Sequence, residues 1–332
     1  MTPGRWRLLR IGTGLLLLVL VLAAIDGPGL WAALAGADLR FVVLGVAGLT
    51  AIHIVPAAAW RAMVHQVSGA RIGWGDTLRL SYAAQAIGGV TPANLGGDVL
   101  RVAAVRAAGH AWSATILPIV VQRATSYLAL SILSIPAVVI LASQSDVAAG
   151  MVLIGVVVAV IVAVAAGLLV AAPHHLRRLG RRLAPRMAPA PIEHPVPRRT
   201  LGIMALTGLF AGIAFHAGSL VLTWLLIAGV DRAIATLPIL AALAIARLSL
   251  VVPLTPSGVG IQEAVVVTIV ASLGAPVEAV LAGLLLGRLS LVSTTVIGAA
   301  LAATTHGGLS GLRHGHMGRA TRQQPLPRDL SR

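Results

Sequence analysis

Six charged residues sit inside otherwise apolar runs: Asp98, Arg101, Arg123, Arg247, Glu263 and Arg288. A charge at membrane depth costs at least ~2.5 kcal/mol, so such residues face a pathway, a cavity or a partner. An arginine fork matches a phosphodiester, and a carboxylate suits an amine or a cation. The set therefore predicts a cavity for a polar headgroup, with Asn94 and Gln262 as further polar lining residues. The alternative for each residue alone is an acid–arginine pair that only fixes helix packing. Asp98 and Glu263 are also the candidates for a proton or sodium relay.

The two acids each follow a stretch that no plain membrane helix tolerates. The first runs from Gly88 to Arg101 and contains Thr91, Pro92, Asn94, Gly96 and Gly97. The second runs from Thr255 to Glu263 and contains Pro256, Ser257, Gly258, Gly260 and Gln262. Broken backbone at membrane depth needs an enclosed or wet cavity to satisfy its amides. Thr91, Thr255 and Ser257 would cap the broken helix ends or line that cavity. Each acid opens a half-helix, where the positive dipole end favours a negative group.

The breaks repeat. Thr91-Pro92 matches Thr255-Pro256 and Gly96 matches Gly260 at a spacing of 164 residues, with Glu263 one residue later in register than Asp98. Gly109 matches Gly274, and Arg123 matches Arg288, after a one-residue slip. Internal repeats set the fold.

The elements that hold these breaks are apolar. The 332-residue chain is 58% hydrophobic with a mean hydropathy of +0.94, which places it among polytopic membrane proteins. Full spans are expected at Ile11–Ile25, Phe41–Ala59, Ser113–Ala142, Val147–Ala172, Leu201–Ile227 and Pro276–Ala303. Gly27-Pro28-Gly29 reads as a turn, Trp31–Arg40 as a short interfacial helix, and Trp60–Arg79 as amphipathic. Pro173–Arg199, with seven arginines, divides a 1–304 transmembrane domain into halves 1–172 and 200–304. A basic tail, 305–332, is predicted to be disordered.

Formal net charge is +15, and all 25 basic residues are arginine. They cluster in short loops, so the positive-inside bias explains them better than nucleic-acid binding. Placing both termini and Pro173–Arg199 in the cytoplasm works only if the first break lies in a hairpin that enters and leaves on one side. Twenty arginines then face inward, Arg40 and Arg232 face outward, and Asp26, Asp38, Asp146 and Asp231 lie outside. The second hairpin enters from outside, which makes the halves an inverted repeat, a transporter arrangement. The fold expected is an all-α integral membrane bundle of about six spans plus two re-entrant hairpins.

Cysteine is absent, which removes disulfides and thiolate metal sites. His314-Gly-His316 lacks partners for a metal. His53, His65 and His216 stand alone in apolar surroundings and read as interfacial or packing residues rather than ligands. No nucleotide loop, nucleophile elbow or zinc-protease helix occurs. No cofactor, no metal and no enzymatic activity are expected.

The stretch Pro92–Arg101, followed by Gly258–Glu263, Gly274 and Arg288, resembles the lysylphosphatidylglycerol synthase transmembrane region, or flippase-like, family from about Leu39 to Ala303. The resemblance implies a multi-pass bacterial inner-membrane protein that translocates a phospholipid or a related polar lipid. In the full-length synthases a C-terminal cytosolic domain makes the lipid, and this chain ends soon after the last span. Pro256-Ser257-Gly258 stands where the family more often has proline and two glycines. The expected partners are a membrane lipid as substrate, anionic headgroups at the cytoplasmic arginines, and a lipid-modifying enzyme or glycosyltransferase. Two rival readings are an ion-coupled carrier of a small solute and a non-transporting membrane partner of such an enzyme.

Overall fold

A computed structural model describes residues 3–89, 91, 95–144, 150, 153, 157, 196–249 and 255–303. Every regular element among the described residues is helical. Helix α1 (Pro3–Ala23) and α2 (Gly27–Ala35) meet at a 99° bend. Asp26 makes that bend: its Oδ2 accepts from the Gly29 amide at 3.0 Å and caps α2. Gly27-Pro28-Gly29, expected as a turn, is therefore the first turn of a helix, where proline lacks only an amide that would be unbonded anyway. The helix expected over Trp31–Arg40 ends at Ala35 instead.

Helices α3 (Leu39–Ala51) and α4 (Ile54–Ser68) read together as one 30-residue span of mean hydropathy 2.1. The span expected to stop at Ala59 continues to Ser68 because Trp60, Met63 and Val64 are fully buried. Arg61, which made this stretch look amphipathic, is held locally. Its Nε donates to the Ile72 carbonyl at 2.6 Å, and its guanidinium lies 4.8 Å from the Trp74 ring centre.

Three more helices are long and apolar enough to cross a membrane: α7 (Trp112–Ala142), α8 (Arg198–Val230) and α11 (Val277–Ala303). Of the span expected at Val147–Ala172 only residues 150, 153 and 157 are described, and the central arginine loop up to Pro195 and the basic tail lie outside the described residues.

The remaining helices among the described residues are short: α5 (Trp74–Gly89), α6 (Leu95–Ala107), α9 (Thr236–Leu248) and α10 (Ile261–Ser272). At 1.5 Å per residue the longest of them reaches about 24 Å, less than the ~30 Å of a hydrocarbon core. They form two consecutive pairs, α5 on α6 and α9 on α10. The α9 face is not amphipathic at all, since Ala241–Ala246 are all buried. A helix apolar on every side belongs in the middle of a bundle, and α7, α8 and α10 surround it.

The pairings obey a simple exchange. Helix α7 packs on α8 and α9, and α11 packs on α3 and α5. Helix α6 touches α7 as α10 touches α11, and α4 touches α5 as α8 touches α9. Swapping α3–α4 with α8, α5 with α9, α6 with α10 and α7 with α11 reproduces these contacts. Helix α1 stands outside the exchange, because it packs on α10 and on the turn before it.

Candidate functional site

The first break is tied by Thr91. Its hydroxyl donates to the Gly88 carbonyl at 3.1 Å and accepts from the Gly96 amide at 2.9 Å. One side chain thus closes the end of α5 onto the start of α6, the capping role expected of it. Pro92 and Asn94 lie outside the described residues, so the lining role expected of Asn94 is not placed. Gly96 and Gly97 fall inside the first turn of α6 rather than in the loop. Gly97 has the stricter requirement: a Cβ there would overlap the backbone of Ala84, its carbonyl oxygen first. A Cβ on Gly96 would meet methyl carbons of Thr91 and Ile87 at 2.7 and 2.8 Å, which are side chains and can turn.

The second break is built differently. A short 3₁₀ turn covers Pro256–Gly258, with left-handed backbone at Ser257 (φ 50°), Gly258 (φ 69°) and Gly260 (φ 83°). Glycine adopts this region freely, whereas an L side chain is strained there by roughly 1–2 kcal/mol. Ser257 therefore carries strain that a glycine at this position would not. Thr255 is buried, but its hydroxyl has no hydrogen-bond partner among the described residues, so the cap expected of it is absent. Glu263 takes over that role. Its Oε2 accepts from the Gly260 amide at 2.8 Å across the first turn of α10.

Both acids are held by arginines from the helix that follows each pair. Arg123 Nε and Nη2 converge on Asp98 Oδ2 at 2.6 and 2.5 Å. Arg288 Nε and Nη2 converge on Glu263 Oε1 at 2.7 and 2.5 Å. The partners are 25 residues apart in both cases, so at the ion pairs the two halves align at 165 residues with no slip. The surroundings differ. The Glu263 side chain is 2% exposed and that of Asp98 19%. Arg288 also donates to the Ser257 carbonyl at 3.2 Å and to the Gly258 carbonyl at 3.4 Å, which ties the second break to α11. Arg123 reaches the Tyr127 hydroxyl at 3.4 Å.

Two cavities open beside these pairs. One of ≈ 190 Å³ is lined by Asp98, Arg101 and Arg123, with Gln85, Gln122 and Tyr127. The other, of ≈ 240 Å³, is lined by Arg247, Glu263 and Arg288, with His53, Gln85 and Gln262. The six charges singled out in the sequence thus divide three and three. Each cavity has two arginines and one carboxylate. Arg101 lies over the Trp60 ring, 5.6 Å from its centre, an attraction between cation and ring face. Arg247 Nη2 donates to the Ser219 carbonyl and to Thr223 Oγ1, both at 3.2 Å. Neither arginine has a carboxylate within salt-bridge distance among the described residues.

Gln85 and Phe215 line both cavities and form the wall between them. Gln85 Nε2 bonds His53 Nδ1 at 2.8 Å, and the His53 ring lies 5.4 Å from that of Phe215. Behind the wall, His216 Nε2 bonds Ser126 Oγ at 2.9 Å. His53 and His216 pack, His53 also faces a cavity, and His65 is exposed, with its Nδ1 3.1 Å from the Ala70 carbonyl oxygen. Gln85, Gln122 and Phe215 were not singled out in the sequence. The available signal was an amide at mid-run in two apolar stretches. No group of three or more metal-ligating side chains occurs among the described residues.

The lysylphosphatidylglycerol synthase TM region family model aligns with residues 7–298. No curated protein matches the chain.

Proposed function

We propose, taking as premise that this chain belongs to the lysylphosphatidylglycerol synthase TM region family, that it translocates a phospholipid or related polar lipid across the bacterial inner membrane. The observation that carries this reading is the charge balance of the two cavities. In each, two arginines share one carboxylate, and among the described residues only one of the two arginines makes an ion pair with it. A buried, uncompensated guanidinium is costly unless a ligand or water completes it, and a lipid phosphate has the charge and fork geometry to do so. The headgroup passes from one cavity to the other while the acyl chains stay in lipid.

The helix contacts support a repeat of the two halves, and the arginine distribution makes it an inverted one. The short pairs α5–α6 and α9–α10 act as re-entrant hairpins, too short to cross and each packed on the long helix of the other half. Both termini and the central arginine loop face the cytoplasm, where the arginines also meet anionic headgroups. The pairing of both acids favours one rival, a scaffold for a lipid-modifying enzyme or glycosyltransferase. The cavities beside the pairs weigh against it.

The test is translocation in vesicles. Purified chain is reconstituted with headgroup-labelled phospholipid, and label accessible to a membrane-impermeant reductant is followed in time. Wild-type chain accelerates loss of the inner-leaflet signal, and Arg101→Gln and Arg247→Gln slow it. A folded wild-type chain that gives the rate of empty vesicles refutes translocation.

A further inference from the structure

The cavity of the second helix pair has hydroxyls on two helices: Ser219 and Thr223 on α8, and Ser290, Thr294 and Thr295 on α11. Each donates its proton to a carbonyl about one turn back on its own helix. The acceptors are Phe215 for Ser219 (2.6 Å), Ser219 for Thr223 (2.8 Å), Gly287 for Ser290 (2.6 Å), Ser290 for Thr294 (2.7 Å) and Leu291 for Thr295 (2.8 Å). A hydroxyl has one proton and two lone pairs. With the proton committed to the helix, what remains for the cavity is acceptor oxygen, of which Arg247 already takes one lone pair at Thr223.

Such back-bonding is ordinary for serine and threonine in apolar helices. Its convergence on one cavity is what matters here. The same cavity holds Arg247 and Arg288 against a single carboxylate, and Glu263 is already engaged by Arg288 and by the Gly260 amide. A complementary occupant has a negative group for the arginines and protons to donate to the hydroxyl oxygens. A choline has no protons to donate. An aminoacyl ammonium has them but brings positive charge to a wall with excess positive charge. A phosphate joined to a polyol satisfies both conditions.

We propose that the cavity between α8, α9, α10 and α11 binds a phosphate-linked polyol, the headgroup of an anionic phospholipid or glycolipid with free hydroxyls, and selects against choline and aminoacylated headgroups. As a lipid substrate this rests on the translocation reading; as a binding site it does not. The arginines set the charge preference, and the hydroxyl pairs Ser219/Thr223 and Ser290/Thr294, each one turn apart, set the polyol preference.

The experiment is calorimetric titration of the full chain in phosphatidylcholine nanodiscs. The probes are glycerol 3-phosphate, inorganic phosphate, phosphocholine and dihexanoyl phosphatidylglycerol, with dihexanoyl lysylphosphatidylglycerol as the cationic comparison. Glycerol 3-phosphate should bind about tenfold more tightly than inorganic phosphate or phosphocholine, the worth of one or two hydrogen bonds. Dihexanoyl phosphatidylglycerol should exceed its lysyl ester by at least as much. Tighter binding of that lipid than of glycerol 3-phosphate marks a lipid site, and equal binding marks a soluble phosphopolyol site. Thr294→Val should lower glycerol 3-phosphate affinity about tenfold and leave inorganic phosphate unchanged, whereas Arg247→Gln should weaken both. The wild-type preferences decide the matter even if a variant fails to fold. Phosphocholine or the lysyl ester binding as tightly as its polyol counterpart overturns the proposal. Selective binding without vesicle translocation would instead overturn transport and leave the site standing.

Discussion

Removing the two acids one at a time should separate two ion pairs that look alike on paper. Glu263→Gln removes the charge from a side chain 2% exposed and leaves Arg288 at 26% exposure. Breaking a buried pair from one side costs ~3–5 kcal/mol. The partial exposure of Arg288 and its carbonyl bonds to Ser257 and Gly258 reduce this to about 2–3 kcal/mol. Glutamine can still accept from the Gly260 amide, so the helix cap survives. Asp98→Asn acts on a pair exposed by 19% and 31%, where solvent already screens the charges, and should cost about 1 kcal/mol. A double-mutant cycle isolates each pair. The coupling of Glu263 with Arg288 should be about 2 kcal/mol, and that of Asp98 with Arg123 less than about 1 kcal/mol. The assay is reversible denaturant unfolding in mixed micelles, with vesicle translocation measured on the same preparations. Asp98→Asn should then keep its fold and lose transport. Equal unfolding costs for the two acids, or a Glu263→Gln/Arg288→Gln double variant as unstable as the sum of its singles, would refute the reasoning.

Gly97→Ala should destabilise the chain by about 1–3 kcal/mol, because its methyl group meets the Ala84 backbone. Gly202→Ala, with open space around it, should be neutral or stabilising in the same melting experiment. Ser257→Gly should raise stability by about 1 kcal/mol, since glycine relieves the left-handed strain at φ 50°, and an unchanged melting midpoint would count against that strain. Phe215→Ala should join the two cavities and raise the vesicle rate, with no change expected if the wall is irrelevant to transport. A single cysteine at Asp231 should react with an impermeant thiol reagent in intact cells and one at Arg186 should not; labelling of Arg186→Cys would invert the topology.

Much of the candidate site was legible because charge in an apolar run is conspicuous. All six charged residues named from the sequence line one of the two cavities. That acids and arginines could pair was legible, but which arginine holds which acid was not. The Thr-Pro spacing of 164 residues offset Asp98 from Glu263 by one position, while the ion pairs align both acids and both arginines at 165. The breaks differ in length by one residue, and only the folded backbone absorbs that difference. The glycines were legible as a group but not by role: Gly97 is needed for a close helix crossing and Gly260 for a positive φ. The end of the second span was misread at Trp60 because Arg61 and His65 suggest an interface. Their polar groups are satisfied locally, by the Ile72 and Ala70 carbonyls, and periodicity carries no sign of that.

The crosswise packing of the halves bears on how the chain is made. Helix α7 finds its main neighbours in α8 and α9, and α5 finds one in α11, all of them synthesised later. When α7 leaves the insertion machinery, the Asp98–Arg123 pair has formed from one segment, but part of the cavity wall beside it has not. Phe215, Gly208 and Gly212 of α8 still have to arrive. Until they do, a charged and broken stretch faces lipid or the inserting complex. The first half thus reaches its native packing only once the second is made, and a chain stopped after α7 should be less stable than the full one.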